Sequence, residues 1–125
     1  MGYCILLVDD SVTTRGLIKR TIQLAGLPVS EFLEAGNGKE ALEKLRTHAV
    51  DLMLADLNMP EMNGIELLTM VKRTGMAKCP VIVISTRDNL PVLEEAVKNQ
   101  VATHFVVKPW NLRQMWDLIA RILPE

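Results

Sequence analysis

Hydrophobic and polar positions follow two alternating periods along the whole chain. Short apolar runs stand at Tyr3–Val8, Leu52–Ala55, Val81–Ile84 and Phe105–Val107. Each is too short for a helix, and most are rich in β-branched residues, as strands buried on both faces are. Val29–Leu33 mixes polar with apolar residues and predicts a more exposed strand. Between the runs, apolar residues recur at helical spacing: Ile18, Ile22 and Ala25; Ala41, Leu42 and Leu45; Leu68 and Val71; Leu93, Ala96 and Val97. The fifth stripe is the strongest, with Leu112, Met115, Trp116, Ile119, Ile122 and Leu123. These are the core faces of amphipathic helices. Ser11, Asn37 and Asn89 stand where helix N-caps belong, and Gly26 where the first helix should stop. Gly16, inside that helix, is a local misfit costing about 1 kcal/mol relative to Ala.

Five strand–helix pairs make a (βα)₅ chain, so the fold class is α/β. Strict alternation predicts a doubly wound parallel sheet with right-handed crossovers and helices on both faces. No linker, repeat or low-complexity stretch breaks the pattern, and residues 1–125 read as a single domain, long enough to bury a real core.

Composition narrows the class of partner. Lys and Arg number 14 against 15 Asp and Glu, and a net charge of −1 gives no electrostatic footprint for nucleic acid or an anionic membrane. Cys4 and Cys79 each adjoin an apolar run, form no C-x-x-C pair and read as small reduced hydrophobes, not zinc ligands. The first residues lack the basic region and cleavage site of a signal peptide, and no apolar run approaches the ~20 residues of a membrane span. The expected setting is the cytoplasm.

In an open α/β sheet, ligands bind beyond the carboxyl ends of the strands. Those ends carry Asp9 and Asp10, then Asp56, Ser85, and Lys108 followed by Pro109. Alone, an Asp after a strand is usually a helix cap, and a lone Ser or Lys means less still. Their joint placement at four strand ends changes that balance. Three neighbouring carboxylates repel one another, and without a counter-ion at least one should have a raised pKa. Hard oxygen ligands with open positions suit Mg²⁺, which binds through a few carboxylates together with a phosphate. A carboxylate between that cation and Lys108 is equipped to accept a phosphoryl group, and Ser85 could donate to one of its oxygens.

The segments Asp9–Asp10, Asp56-Leu-Asn-Met-Pro-Glu-Met-Asn-Gly64, Val-Ile-Val-Ile-Ser85 and Phe105-Val-Val-Lys-Pro109 resemble the receiver domain of two-component response regulators, across the whole chain. With only Pro124 and Glu125 after the fifth helix, the likeness is to stand-alone, CheY-like regulators. The resemblance implies a flavodoxin-like strand order 2-1-3-4-5 and gives each residue a role. Asp56 matches the phosphoacceptor. Asp10 matches a direct ligand of Mg²⁺ (or Mn²⁺), Asp9 one that acts through water, and Asn58 the backbone carbonyl that completes the site. Ser85 matches the switch hydroxyl, Phe105 the aromatic switch and Lys108 the phosphoryl-contacting lysine. The implied partners are a sensor histidine kinase or histidine phosphotransfer protein, and a downstream protein met through the surface of helix four, strand five and helix five. A monomer or weak dimer is expected, and not an enzyme: such a switch catalyses only its own phosphorylation and dephosphorylation.

Some positions depart from the family pattern. Thr86 stands where Ala or Gly is usual and predicts narrower access to Asp56. Arg87 bears on how water reaches a phosphoryl group. Val101 stands where a Gly often ends the fourth helix, leaving the left-handed cap to Asn99 or Gln100. Three other readings compete. A flavodoxin-like cofactor binder would need a Gly- and hydroxyl-rich phosphate loop where this chain has two acids, and a phosphatase with an aspartyl nucleophile would need D-x-D. A receiver that binds partners without phosphorylation would be favoured by loss of an acid or of Lys108, and all are present.

Overall fold

The computed structural model describes residues 2–56, 69–73, 79–100, 102–108 and 111–123, with Leu112 described in its backbone alone. Five strands form one sheet: β1 (Tyr3–Val8), β2 (Val29–Ala35), β3 (Leu52–Asp56), β4 (Val81–Thr86) and β5 (His104–Lys108). All pairings are parallel, in the order β2-β1-β3-β4-β5. The helices are α1 (Val12–Leu24), α2 (Gly38–Thr47), α3 (described over residues 69–73), α4 (Leu90–Lys98) and α5 (Leu112–Ile122). A 3₁₀ turn, Arg87–Asn89, leads into α4.

Period-two alternation splits the core into two layers. Leu6, Val8, Met53, Ala55, Val81 and Val83 pack with Ala41 and Leu45 of α2, Val71 of α3, and Leu93 and Ala96 of α4. Ile5, Leu7, Leu52, Leu54, Ile82 and Ile84 pack with Ile18 and Ile22 of α1 and with Met115, Leu118 and Ile119 of α5. Because both faces are covered, β1, β3 and β4 read as unbroken apolar runs. Truncating a side chain such as Leu54 to Ala should cost about 2–5 kcal/mol.

The caps explain where helices begin. Ser11 Oγ accepts from Thr14 N, and Asn37 Oδ1 from Glu40 N at 2.9 Å, while Glu40 Oε1 reaches back to Gly36 N at 3.0 Å. The bond from Glu40 N satisfies an orphan donor of α2, and the bond from Gly36 N ties Glu40 to the residue just before the Asn37 cap. Gly26 (φ +80°) follows α1 in the left-handed region, and Gln100 (φ +61°) takes that role after α4.

Several expectations need correction. Strands β2 to β5 run one or two residues past the apolar runs, so β3 ends on Asp56 and β5 on Lys108 as expected, while β4 continues past Ser85 to Thr86. Asn89 makes no side-chain cap on α4. Ala25 is the C-cap of α1 and not part of its buried stripe. Trp116 is 43% exposed rather than deep in the core, and its indole N–H donates to the Ala25 carbonyl at 2.9 Å. An indole carries a donor that a core of aliphatic side chains cannot satisfy, whereas the end of a helix offers spare carbonyls. Leu68, Val101 and the side chain of Leu112 lie outside the described residues. Cys4 and Cys79 are free and half-buried, and burial pushes the Cys79 thiol up to about 11.

Candidate functional site

The parallel register sets the site. Val8 pairs with Ala55, so Asp9 comes level with Asp56, which itself pairs with Ile84. Ile84 pairs with Val106, which places Ser85 one residue and Lys108 two residues beyond that row. Asp56 and Lys108 continue the alternation of residues facing α1 and α5. Ser85, after Val81 and Val83, continues the opposite face, where Phe105 and Val107 pack.

The chemistry is concentrated. Asp56 is only 5% exposed, and the Lys108 ammonium donates to its Oδ2 at 2.6 Å. Asp9, 3% exposed, is held above the usual carboxylate range, at about 6. Burial is the largest cause; the neighbouring charge and side chain of Asp56 add to it, while the Ser11 N–H on Asp9 Oδ1 (2.8 Å) and Lys108 work against it. Two buried acids thus share one described ammonium. Ser85 is fully buried, and its Oγ accepts from the Asn89 side-chain amide at 2.7 Å.

The other expected residues fall as follows. Asp10 is exposed, unlike Asp9. Among the described residues, no three His, Cys, Asp or Glu side chains gather closely enough to hold a metal ion. Asn58, Pro109 and the turn around Met59, Pro60 and Gly64 lie outside the described residues. Phe105 is half-buried against the α2–α4 layer. Thr86 is exposed, pairs in register with Lys108, and its hydroxyl donates to Asp88. The donor set still suits a hard divalent cation. A carboxylate raised by burial and further by a second carboxylate is the environment that a cation relieves, with Asp10 beside it on the same turn.

Sequence reasoning missed three residues. Asn89 was expected to cap α4 and instead reaches Ser85, four residues back across the 3₁₀ turn. Arg15 donates from Nη1 to the Asp9 carbonyl and from Nε to Glu34 Oε1 at 3.0 Å. Arg15 sits one turn into α1, which could have drawn attention to it; nothing local in sequence ties it to Glu34.

Comparison with known proteins decides the family. Residues 5–120 match the model for the response regulator receiver domain. The chain belongs to the response-regulator receiver family. It is 39% identical over 121 residues to the chemotaxis protein CheY1 of Helicobacter pylori, covering 95% of each chain. It is 33% identical to the chemotaxis protein CheY of Bacillus subtilis, covering 98% of this chain and 99% of that one. Among solved structures, chemotaxis protein CheY4 of Vibrio cholerae superposes with a TM-score of 0.84 at 31% identity, covering 98% of this receiver and all of that chain. The receiver therefore acts in two-component signal transduction, a family generally dependent on Mg²⁺ and served by histidine kinases. No helix among its described residues is long and apolar enough to cross a membrane.

Proposed function

We propose that Asp56 accepts a phosphoryl group from a histidine kinase, a histidine phosphotransfer protein or a small phosphodonor. The observation that carries this reading is the buried Asp56 carboxylate paired with Lys108 at 2.6 Å, with Asp9 against it. A carboxylate oxygen of Asp56 attacks phosphorus, the bond to the donor breaks, and the leaving group keeps its electron pair. Lys108, already oriented at Oδ2, then donates to a phosphoryl oxygen. Ser85 donates to another once its hydroxyl turns toward the new group. Asp10, Asp56 and the Asn58 carbonyl would hold Mg²⁺ or Mn²⁺, with Asp9 acting through water, and such an ion would supply positive charge to the transferring group. Hydrolysis by water returns Asp56 to a carboxylate, so the protein turns over only itself and is not an enzyme acting on a separate substrate.

Output is through protein contact at the surface of α4, β5 and α5, with Ser85 and Phe105 as the moving parts and chemotaxis or a phosphorelay as the pathway. Phe105 stands on the same face of the sheet as Ser85, so motion of one frees space beside the other. The receiver works in the cytoplasm as a monomer or weak dimer, without nucleic acid or membrane.

Incubation with acetyl phosphate and Mg²⁺ should add one phosphoryl mass that is labile to base and hydroxylamine. Asp56→Asn should take none, and chelation with EDTA should abolish labelling of the wild type. Label on Asp56→Asn would move the acceptor elsewhere; equal labelling with EDTA would remove the metal from the reaction.

A further inference from the structure

Asp10 lies between two fixed points of backbone. On one side, the Asp9 carbonyl accepts from Arg15 Nη1; on the other, the Ser11 N–H donates to Asp9 Oδ1 at 2.8 Å. The Asp9 N–H is itself bound to the Ala35 carbonyl of β2 at 3.0 Å. Arg15 reaches the same strand, since its Nε donates to Glu34 Oε1 at 3.0 Å, and Glu34 pairs in register with Leu7 of β1. Both peptide groups of Asp9 are therefore referred to β2, one directly and one through a guanidinium.

Glu34 stands between two cations. Lys19 Nζ approaches its Oε2 at 3.3 Å while lying over the Phe32 ring, 5.6 Å from the centroid. The Arg15 hydrogen bond, then Lys19, keeps the Glu34 carboxyl below the usual range against the effect of burial. Glu34 thereby neutralises part of the charge that Arg15 brings beside an acidic turn. A planar fork can bind a carboxylate with one N–H and a carbonyl with another; an ammonium offers one point and no such span.

We propose that Arg15, aligned by Glu34, is a positioning residue that fixes the Asp9–Asp10 peptide for divalent-cation binding. It touches neither the phosphoryl group nor the acceptor, and acts by removing the freedom of the backbone that carries Asp10. The inference rests on the reading of Asp9 and Asp10 as metal-holding acids. A plain ion pair between α1 and β2 would affect stability alone and leave metal affinity unchanged.

The test is Mg²⁺ titration of the intact protein by calorimetry, alongside urea unfolding as a check on folding. Arg15→Met should weaken Mg²⁺ binding about tenfold, at the low end of what loss of an outer-shell partner costs a metal site. Arg15→Lys keeps the charge, loses the fork and should not restore affinity; it also serves if Arg15→Met does not fold. Glu34→Gln should cause a smaller loss in the same direction. Wild-type affinity in Arg15→Met or Arg15→Lys would overturn the inference alone. Tighter binding in Arg15→Met would also overturn it, by showing that repulsion between guanidinium and metal outweighs alignment. A wild type that takes up no Mg²⁺ would overturn the metal reading of the acidic pair and this inference with it.

Discussion

Replacing Asp9 by Asn should make the protein more stable at neutral pH, by an amount that depends on pH in a defined direction. Asp9 is 3% exposed, and its carboxyl is raised from 3.8 to about 6 by burial and by Asp56. Below pH 3.8 the group is protonated in both folded and unfolded chains. Between 3.8 and about 6 the native state keeps a proton that the unfolded chain has lost, so stability falls as pH rises. Above that window both states are ionised and the loss is complete. Raising the carboxyl that far corresponds to about 3 kcal/mol. Asn has nearly the same shape, its Oδ1 still accepts from Ser11 N, and its amide can donate toward Asp56. In chelator, Asp9→Asn should therefore exceed wild type by about 2–3 kcal/mol at pH near 7.5. With an unfolding slope of about 2 kcal/mol per molar urea, that is a midpoint shift of about 1 M. The gap should close toward pH 4, as the native wild type regains the proton on Asp9. Mg²⁺ should narrow it at neutral pH by stabilising the wild type alone. A difference that stays constant with pH, or a variant less stable at neutral pH, would refute a charged Asp9 buried at net cost.

Three further outcomes follow from local geometry. A Cβ at Gly16 would meet nothing within 4 Å, so Gly16→Ala should stabilise by about 0.5–1 kcal/mol, whereas Gly26→Ala, at φ +80°, should destabilise by a similar amount; urea midpoints check both. Asn89→Ala removes the amide that holds Ser85 Oγ and should raise the affinity for beryllofluoride with Mg²⁺ about threefold or more, because that bond, worth about 1 kcal/mol, must yield when Ser85 turns. Weaker beryllofluoride binding would mean that Asn89 orients Ser85 for the phosphoryl group instead of restraining it.

The sheet and its helices were legible because burial on two faces imposes continuous apolar runs, and one-sided burial imposes helical stripes. The strand-end rule then located Asp9, Asp56, Ser85 and Lys108 without any knowledge of distances. What escaped were contacts between polar side chains on different elements. Glu34 on an edge strand looks like an ordinary solvent-facing acid until α1 folds across it. Asn89 satisfies the sequence rule for a cap equally well whether it turns forward to α4 or back to Ser85. Trp116 shared its stripe with core residues, yet its ring nitrogen needed a carbonyl, and the nearest one lay at the end of another helix. Asp9 and Asp10 are indistinguishable as letters. The turn that starts α1 directs the first into the sheet end and leaves the second in solvent.

The bond from the Trp116 indole to the Ala25 carbonyl joins residues 91 positions apart and so closes a loop that contains strands β2 to β5. Its acceptor is the C-cap of α1, the place where that helix would otherwise fray first. Local opening of α5 removes the indole and leaves that carbonyl to water, so the last turn of α1 should loosen with it. The end of α1 and the part of α5 around Trp116 then form one cooperative unit in hydrogen exchange, with amides of matching protection despite their separation in sequence. A disturbance at the last helix is in this way delivered to the back end of the helix whose first turn carries Arg15.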